Sequence, residues 1–411
     1  METAALETDA RPAVEPDLHP WRWRWATGLA HALVFGPVAF HLLYRSDSVR
    51  GPNLFPTHTE FAETAFDGLW HFGSPSQLWQ VAAKGLDVVL PFDIRFGALI
   101  AALLFYAWFG IVVAEVLRPR RTGYGLGPAA ALVVSLGLAM LESPAGLWGW
   151  GSFTGTGVFM PVYLPYAATT LASLAPNTLL VWEVARWTSG DLPKPLRWRI
   201  PALLLLASFA KPTLVPLLLV AVPLVVLIRS IRRRSGSGRE RDGRPTMTSV
   251  LVLLVGPAIV LTLIQLLVTV RYVVNRGGWV FSPLTELRDL HVRFPFFWLI
   301  GLFPILALVV VGKRLFDDEA ILLCSTGAVI GVVAALLLRR EGTTYQGDVL
   351  QLSEAAFAML MIFIPRRLIE LRQRGELSTA AGATLLVVLS TYLVAGLMGW
   401  AWRTGLAYPG L

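Results

Sequence analysis

A histidine and two acids stand close together in a polar stretch of this chain. His58, Glu60 and Glu63 belong to the sequence HTEFAETAFDGLW. Its apolar and acidic residues repeat with a helical period, which predicts an amphipathic helix with one acidic face. A carboxylate on that face could accept the proton of an attacking hydroxyl group, as a general base does. Alternatively, the acids form the solvated face of an ordinary surface helix.

A lysine stands in the middle of a long apolar run. Lys211 precedes Pro212 within the segment 200–228, IPALLLLASFAKPTLVPLLLVAVPLVVLI. A cation is costly to bury among apolar groups, so a lysine at this position is a candidate ligand for an anionic group such as a phosphate. Alternatively, its long side chain carries the ammonium group to a nearby membrane surface.

A second group of polar residues occurs in the connector 339–351, RREGTTYQGDVLQ. It contains Arg339, Arg340, Tyr345 and Asp348. Paired arginines bind phosphate through parallel hydrogen bonds, and aromatic rings stack on the faces of sugars. We therefore regard these four residues as candidates for substrate binding. The alternative is ordinary anchoring at a membrane interface.

The composition places these residues in a membrane protein. Hydrophobic residues make up 55% of the chain, charged residues make up 15%, and the mean hydropathy is +0.61. About ten apolar runs have the ~20 residues that a helix needs to cross a bilayer, which excludes a soluble globular protein. The net charge of +8 comes mainly from arginines between these runs. That pattern is typical of cytoplasmic loops and not of a nucleic-acid-binding surface.

The charge pattern also predicts how the chain crosses the membrane. We expect residues 1–24 to form a disordered cytoplasmic tail and residues 25–411 to form a single transmembrane domain. Because the stretches before and after 200–228 are both basic, that run should cross twice, as two short helices that meet near Lys211. The result is an all-α bundle of about eleven spans, with the N-terminus inside and the C-terminus outside. The predicted spans are 25–44, 94–117, 125–142, 159–186, the hairpin 200–228, 249–273, 294–312, 320–338, 352–366 and 378–401.

Two connectors differ from the rest. The segment 45–93 is the longest hydrophilic connector and should lie outside, folded as interfacial helices. The linker 229–248 carries seven arginines and should be cytoplasmic. The single cysteine, Cys324, lies in an apolar run and can form neither an internal disulfide nor a multi-cysteine metal site. Walker A, HExxH and Rossmann-type glycine motifs are absent from the sequence, so we expect neither a metal nor a cofactor.

Three short segments follow patterns that occur together in one class of membrane enzymes. LFPTHTEF, after the first span, is similar to a DFPxH pattern, and LLASFAKPTLVPLLL looks like a broken hairpin containing a KP pair. TYQGDVLQLSEAAFAMLMIF resembles an aromatic and HGN pattern that leads into a late span. Together they resemble the GT-C class of membrane glycosyltransferases, and within it a set of uncharacterised bacterial proteins. The chain departs from the class at the expected acid, where Leu54 follows Asn53, and at HGN, which is replaced by Gln346, Gly347 and Asp348.

The resemblance implies transfer of a sugar from a polyprenyl-phosphate lipid to a glycan acceptor of the cell envelope. The reaction would take place on the outer face of the plasma (inner) membrane. Glu60 or Glu63 would replace the expected aspartate as the base, near His58, while Lys211 and the two arginines of the late connector would hold the phosphate. A nucleotide is not required, because the lipid carries the activated sugar. Membrane lipids are the other expected partners, and nucleic acid is not expected.

Two other functions fit the same sequence. A transporter or flippase for a lipid-linked or amphipathic solute should show polar relays across several spans and paired broken helices in two halves. The sequence instead concentrates polar residues on the predicted outer side and shows one broken segment. A non-catalytic membrane protein of envelope assembly is favoured by the replacement of the expected aspartate.

Overall fold

The computed structural model describes residues 20–44, 59, 62–63, 77–90, 92–119, 123–141, 168–211, 213–234, 244–264, 279–284, 301–340 and 350–404. Most of these residues are helical. In chain order the helices are α1 Pro20–Tyr44, α2 Gln77–Val89, α3 Ile94–Leu117, α4 Pro128–Ala139, α5 Ala168–Ser189, α6 Arg199–Ala210, α7 Leu214–Arg234, α8 Met247–Ile264, α9 Leu302–Val311, α10 Glu319–Leu337, α11 Leu350–Gln373 and α12 Thr379–Arg403. Two short strands complete the described part, β1 Trp279–Phe281 and β2 Leu338–Arg340.

Six helices within the described ranges are long and apolar enough to cross a membrane. They are α1, α3, α7, α8, α10 and α12. Their mean hydropathies reach 2.6, which is the level expected of chains that face lipid. The predicted class, a helical protein of the membrane with several spans, is confirmed. The count of eleven spans and the orientation stay predictions.

Ion pairs and hydrogen bonds show how the helices run. Arg24, near the start of α1, pairs with Glu115, near the end of α3. These two helices are therefore antiparallel, and the residues that bound the first connector, Tyr44 and Ile94, lie at the opposite end. Gln373, which closes α11, exchanges two hydrogen bonds with the backbone of Gly125, at 2.7 and 2.9 Å. The end of α11 therefore lies beside the loop that follows α3.

Further pairs bring other helix ends to the same place. Arg229 of α7 pairs with Glu319 of α10, which also accepts a hydrogen bond from Thr188 of α5. Arg366 of α11 pairs with Asp318, whose carboxylate caps the start of α10. We call this side of the bundle the ion-pair end, and its acids are Glu115, Glu183, Asp318, Glu319 and Glu370.

The run 200–228 forms two helices that turn back on each other. Arg199, at the start of α6, lies 3.6 Å from Glu183, near the end of α5. Arg229, towards the end of α7, also lies at the ion-pair end. Lys211, between the two helices, contacts Thr170 near the start of α5. The chain therefore turns back at Lys211, as the sequence predicts, and we call this side of the bundle the Lys211 end.

Two helices extend a few residues into segments that were predicted as tail and linker. α1 begins at Pro20, so the helix includes the last residues of the predicted tail 1–24. Proline suits the first position of a helix because the amide hydrogen it lacks has no partner there. α7 continues to Arg234, so the predicted linker 229–248 starts as a helix. Arginine favours helix, and cations are stabilised at helix C-termini.

One short antiparallel strand pair accompanies the helices. Trp279–Phe281 pairs with Leu338–Arg340, with Trp279 opposite Arg340. Beyond the first strand, the amides of Ser282 and Leu284 donate to carbonyl groups in the last turn of α10, at 2.9 and 2.8 Å. The pair forms because it supplies partners to carbonyls that the end of a helix leaves without any.

Small residues set the spacing between helices. A Cβ atom placed on Gly110 of α3 would lie 2.3 Å from the ring of His31 of α1. His31 is fully buried, and its Nδ1 atom lies 2.9 Å from the carbonyl oxygen of Thr27. A Cβ atom on Gly331 of α10 would lie 2.8 Å from a backbone nitrogen of α11. Close approach at small residues is the usual way in which helices associate within lipid.

Gly110→Ala should destabilise the protein, because the new methyl group overlaps a buried histidine ring. Overpacking of this kind costs about 1–3 kcal/mol. Gly137→Ala in α4 is the matched control, since its Cβ atom would meet nothing within 4 Å. The midpoint of thermal unfolding in detergent should fall for Gly110→Ala and stay level or rise slightly for Gly137→Ala. Equal midpoints for the two variants would contradict this packing.

The ion-pair end should face the cytoplasm, because the arginines of 229–248 join it. A cysteine at Ser237 should resist a membrane-impermeant maleimide in whole cells and react after lysis. A cysteine at Ser74, in the first connector, should react in whole cells. The native Cys324 is buried and adds little background. Labelling of the Ser237 position in whole cells would reverse the predicted orientation.

Candidate functional site

The break at Lys211 follows from its local sequence. Lys211 has an extended backbone, with φ −163° and ψ 113°, and its amide donates to the carbonyl of Ala207. A residue before proline is disfavoured in the helical region, and Pro212 follows directly. The next helix begins at Leu214. The sequence therefore ends one helix and starts another within a few residues.

The ammonium group of Lys211 contacts the first described turn of α5. It is half-buried, and its Nζ donates to the Oγ1 atom of Thr170 at 2.9 Å. Thr170 belongs to the first turn of α5, which begins at Ala168, and α7 begins just after the break. The first amides of a helix carry partial positive charge and lack partners within the helix. One ammonium group and two helix N-termini together favour an anion such as a phosphate.

The first connector is described at three of its candidate-helix residues. Thr59, Ala62 and Glu63 are helical, the first two are buried, and Glu63 is exposed. His58 and Glu60 lie outside the described residues. Glu63 makes no ion pair with any residue that the structure describes. Its side chain is open to solvent.

The arginines of the late connector belong to the strand pair. Arg339 and Arg340 close β2, opposite Val280 and Trp279. Because β2 follows α10, which starts at the ion-pair end, the strand pair lies at the Lys211 end. The structure therefore brings both arginines and the lysine to one end of the bundle. Tyr345 and Asp348 lie outside the described residues.

Helix α2, in the connector for which interfacial helices are expected, packs along α3. A Cβ atom on Gly97, near the start of α3, would lie 2.7 Å from the carbonyl oxygen of Ala83. The rings of Trp79 and Phe105 are 6.1 Å apart, and Phe105 stands at the middle of α3. The two helices are therefore antiparallel, and α2 runs from the level of the middle of α3 to the Lys211 end. This packing is possible because Gly97 has no side chain and lets the two helices approach closely.

Helix α2 buries two polar side chains in its first half. Gln77 and Gln80 are 2% and 0% exposed and lie beside the fully buried Trp79 and Ala83, whereas Val81, Val88 and Val89 are 41%, 75% and 77% exposed. Exposed valines are typical of a helix with one side towards lipid, and buried amides are unusual in an apolar interior. Sequence reasoning missed the two glutamines, although their spacing of three placed them on one helical face.

An apolar groove runs along the other side of α3. Its volume is about 450 Å³, and α1, α3 and α12 form its walls. Leu99 and Leu103 line it, and they lie on the helical face opposite Gly97 and Phe105. The groove is therefore separate from the region beside α2. Its remaining lining residues are Gly36, Pro37, Phe40, His41 and Thr404.

The described residues were compared with the requirements of a metal site and with known proteins. Within the described ranges, no group of three or more histidine, cysteine, aspartate or glutamate residues could hold a metal ion. No protein-family model matches the chain, and no curated protein matches its sequence.

Nitroxide labels should show that α2 is inclined to the membrane surface, with its first residues deeper than its last. A label at Val81 should collide more often with oxygen, and less often with a water-soluble nickel chelate, than a label at Val88. The reason is that Val81 lies farther from the Lys211 end along α2. A label at Glu63 supplies the aqueous reference. Equal access of the chelate to Val81 and Val88 would place α2 flat on the surface.

Proposed function

We propose that this protein transfers a sugar from a polyprenyl-phosphate-linked donor to a cell-envelope acceptor at the Lys211 end. The observation that carries the proposal is the position of Lys211 at a helix break, bonded to Thr170, with the starts of α5 and α7 beside it. The Lys211 end would face the outside of the plasma membrane, since the arginine-rich linker joins the other end.

The phosphate of the donor would bind to Lys211. The ammonium group supplies the charge, and the helix N-termini supply amide donors in a partly dehydrated setting, where ionic hydrogen bonds are stronger than in water. Arg339 and Arg340, on the strand pair at this end, would add further donors. The lipid tail would stay in the membrane, so the donor could reach this position from the side.

An acid of the first connector would act as the base. Glu60 and Glu63 would lie in the connector that leads from α1, whose end is at the Lys211 end, to α2. The solvated carboxylate of Glu63 has the form that removes a proton from an acceptor hydroxyl. His58 stands near both acids in the sequence, and Tyr345 and Asp348 would contact the sugar or the acceptor glycan.

Movement of a lipid-linked or amphipathic solute is the second candidate function. It is favoured by α2, which carries buried glutamines to the level of the middle of α3. Transporters commonly combine interrupted helices with polar groups near the membrane midplane. The break at Lys211 is an interruption of this kind, and α2 supplies the buried polar groups.

Variants of the base and of the phosphate ligand test the proposed transfer. Glu60→Gln or Glu63→Gln should lower incorporation of labelled sugar into envelope glycan by about 10²–10⁴-fold, because a general base contributes that much. Lys211→Met should lower it by about tenfold or more through loss of a charge-assisted bond. Lys194→Met, an exposed lysine at the ion-pair end, is the control and should keep full activity.

The outcomes separate the two candidate functions. Full transfer in both glutamine variants would refute the base mechanism. Lipid movement that depends on Lys211 and on neither acid would favour the flippase. All variants should insert into the membrane at wild-type abundance, which immunoblotting of the membrane fraction measures.

A further inference from the structure

Two buried glutamines of α2 have amide atoms without a protein partner. Gln80 is 0% exposed, and neither its nitrogen nor its oxygen forms a hydrogen bond within the described part of the chain. The amide nitrogen of Gln77, one turn earlier, is in the same position. Buried polar groups in folded proteins almost always have partners, so two such side chains on one helical face require an explanation.

A glutamine elsewhere in the protein shows the usual arrangement. Gln373 uses both amide atoms, with its nitrogen bonded to the carbonyl of Gly125 and its oxygen to the amide of the same residue. Gln80 therefore differs from Gln373 in its partners and in its deeper burial. An apolar residue of the same size at position 80 would avoid the cost of an unpaired amide.

The glutamines face the interior between three helices. α2 contacts α3, α5 and α6, and Trp79, between the glutamines in sequence, stacks on the middle of α3. Asn177, near the middle of α5, is also buried, and its Oδ1 atom lacks a hydrogen bond among the described residues. Unpaired amide groups thus occur on two helices that contact each other.

The chemistry of this region selects the kind of ligand. An amide offers donors and an acceptor together, which matches a hydroxyl group, since a hydroxyl also donates and accepts. Lys84 and Asp87 of α2 pair with each other at 3.0 Å. The charged side chains of α3 and α5 stay near the helix ends, at Arg95, Glu115, Glu183 and Arg186. A neutral ligand is therefore favoured over an ion.

We infer that Gln77 and Gln80 form a binding site for the neutral, hydroxyl-rich head group of a glycolipid. The exposed valines of α2 place this site beside the lipid, so a glycolipid can present its head group while its chains stay in the membrane. The inference extends the proposed function, because a lipid-linked sugar carries such a group. It concerns binding alone and does not require that the sugar be transferred.

Gln80→Met separates ligand binding from packing. The protein is placed in phosphatidylcholine nanodiscs, with or without a minor fraction of glucosyl- and galactosyl-diacylglycerol, and its thermal unfolding is followed. Without glycolipid, Gln80→Met should unfold about 2–4 °C above wild type, because an unpaired buried amide has been removed. Glycolipid should raise the wild-type midpoint, since a ligand that binds the folded state stabilises it. The variant should lose that rise, with binding weakened about tenfold or more.

Gln373→Met is the matched control. It should unfold at a lower temperature than wild type, because two hydrogen bonds to Gly125 are lost, and it should keep the glycolipid-dependent rise. A wild-type midpoint that glycolipid does not move would overturn the site. A rise caused equally by phosphatidylglycerol would overturn the preference for a neutral head group. These unfolding midpoints do not depend on sugar transfer. A failure of the transfer proposal can therefore be told apart from a failure of the glycolipid site.

Discussion

The carboxylates of the ion-pair end hold the helices at fixed heights relative to one another. Glu319 joins α10 to α5 and α7 through Thr188 and Arg229, and Asp318 joins α10 to α11 through Arg366. These groups are largely buried, and removal of one partner from a buried pair costs about 3–5 kcal/mol. Because helices are stiff, fixing their positions at this end also fixes which residues meet at the Lys211 end. The contact between Lys211 and Thr170 is one of these.

The sequence predicts those features that depend on short segments. The bounds predicted for α3 agree with the structure, since a long apolar run is closed by Asp93 as a side-chain cap and by a proline after Arg118. The turn at Lys211 was predictable as well, because a proline follows the lysine and basic stretches lie on both sides of the run. In both places the local chemistry agrees with the final fold.

Features that depend on distant contacts were not predictable in this way. The depth of α2 depends on its fit to Gly97 of α3, and a spacing of polar residues does not reveal which face meets protein. The strand pair forms because the end of α10 needs donors for its carbonyls. His31 could be recognised as a histidine within an apolar run, but its role as a packing partner of Gly110 appears only when α1 and α3 are brought together.

The spacing between charged levels differs from one side of the bundle to the other. On α3, Arg95 and Glu115 are about 30 Å apart along the helix axis, which matches the hydrocarbon thickness of a bilayer. On α5, Glu183 and Thr170, the partner of Lys211, are only about 20 Å apart. Because α5 is buried along almost its whole length, its shorter interval faces neighbouring helices and not lipid. The Lys211–Thr170 contact therefore sits on a helix that the rest of the bundle encloses.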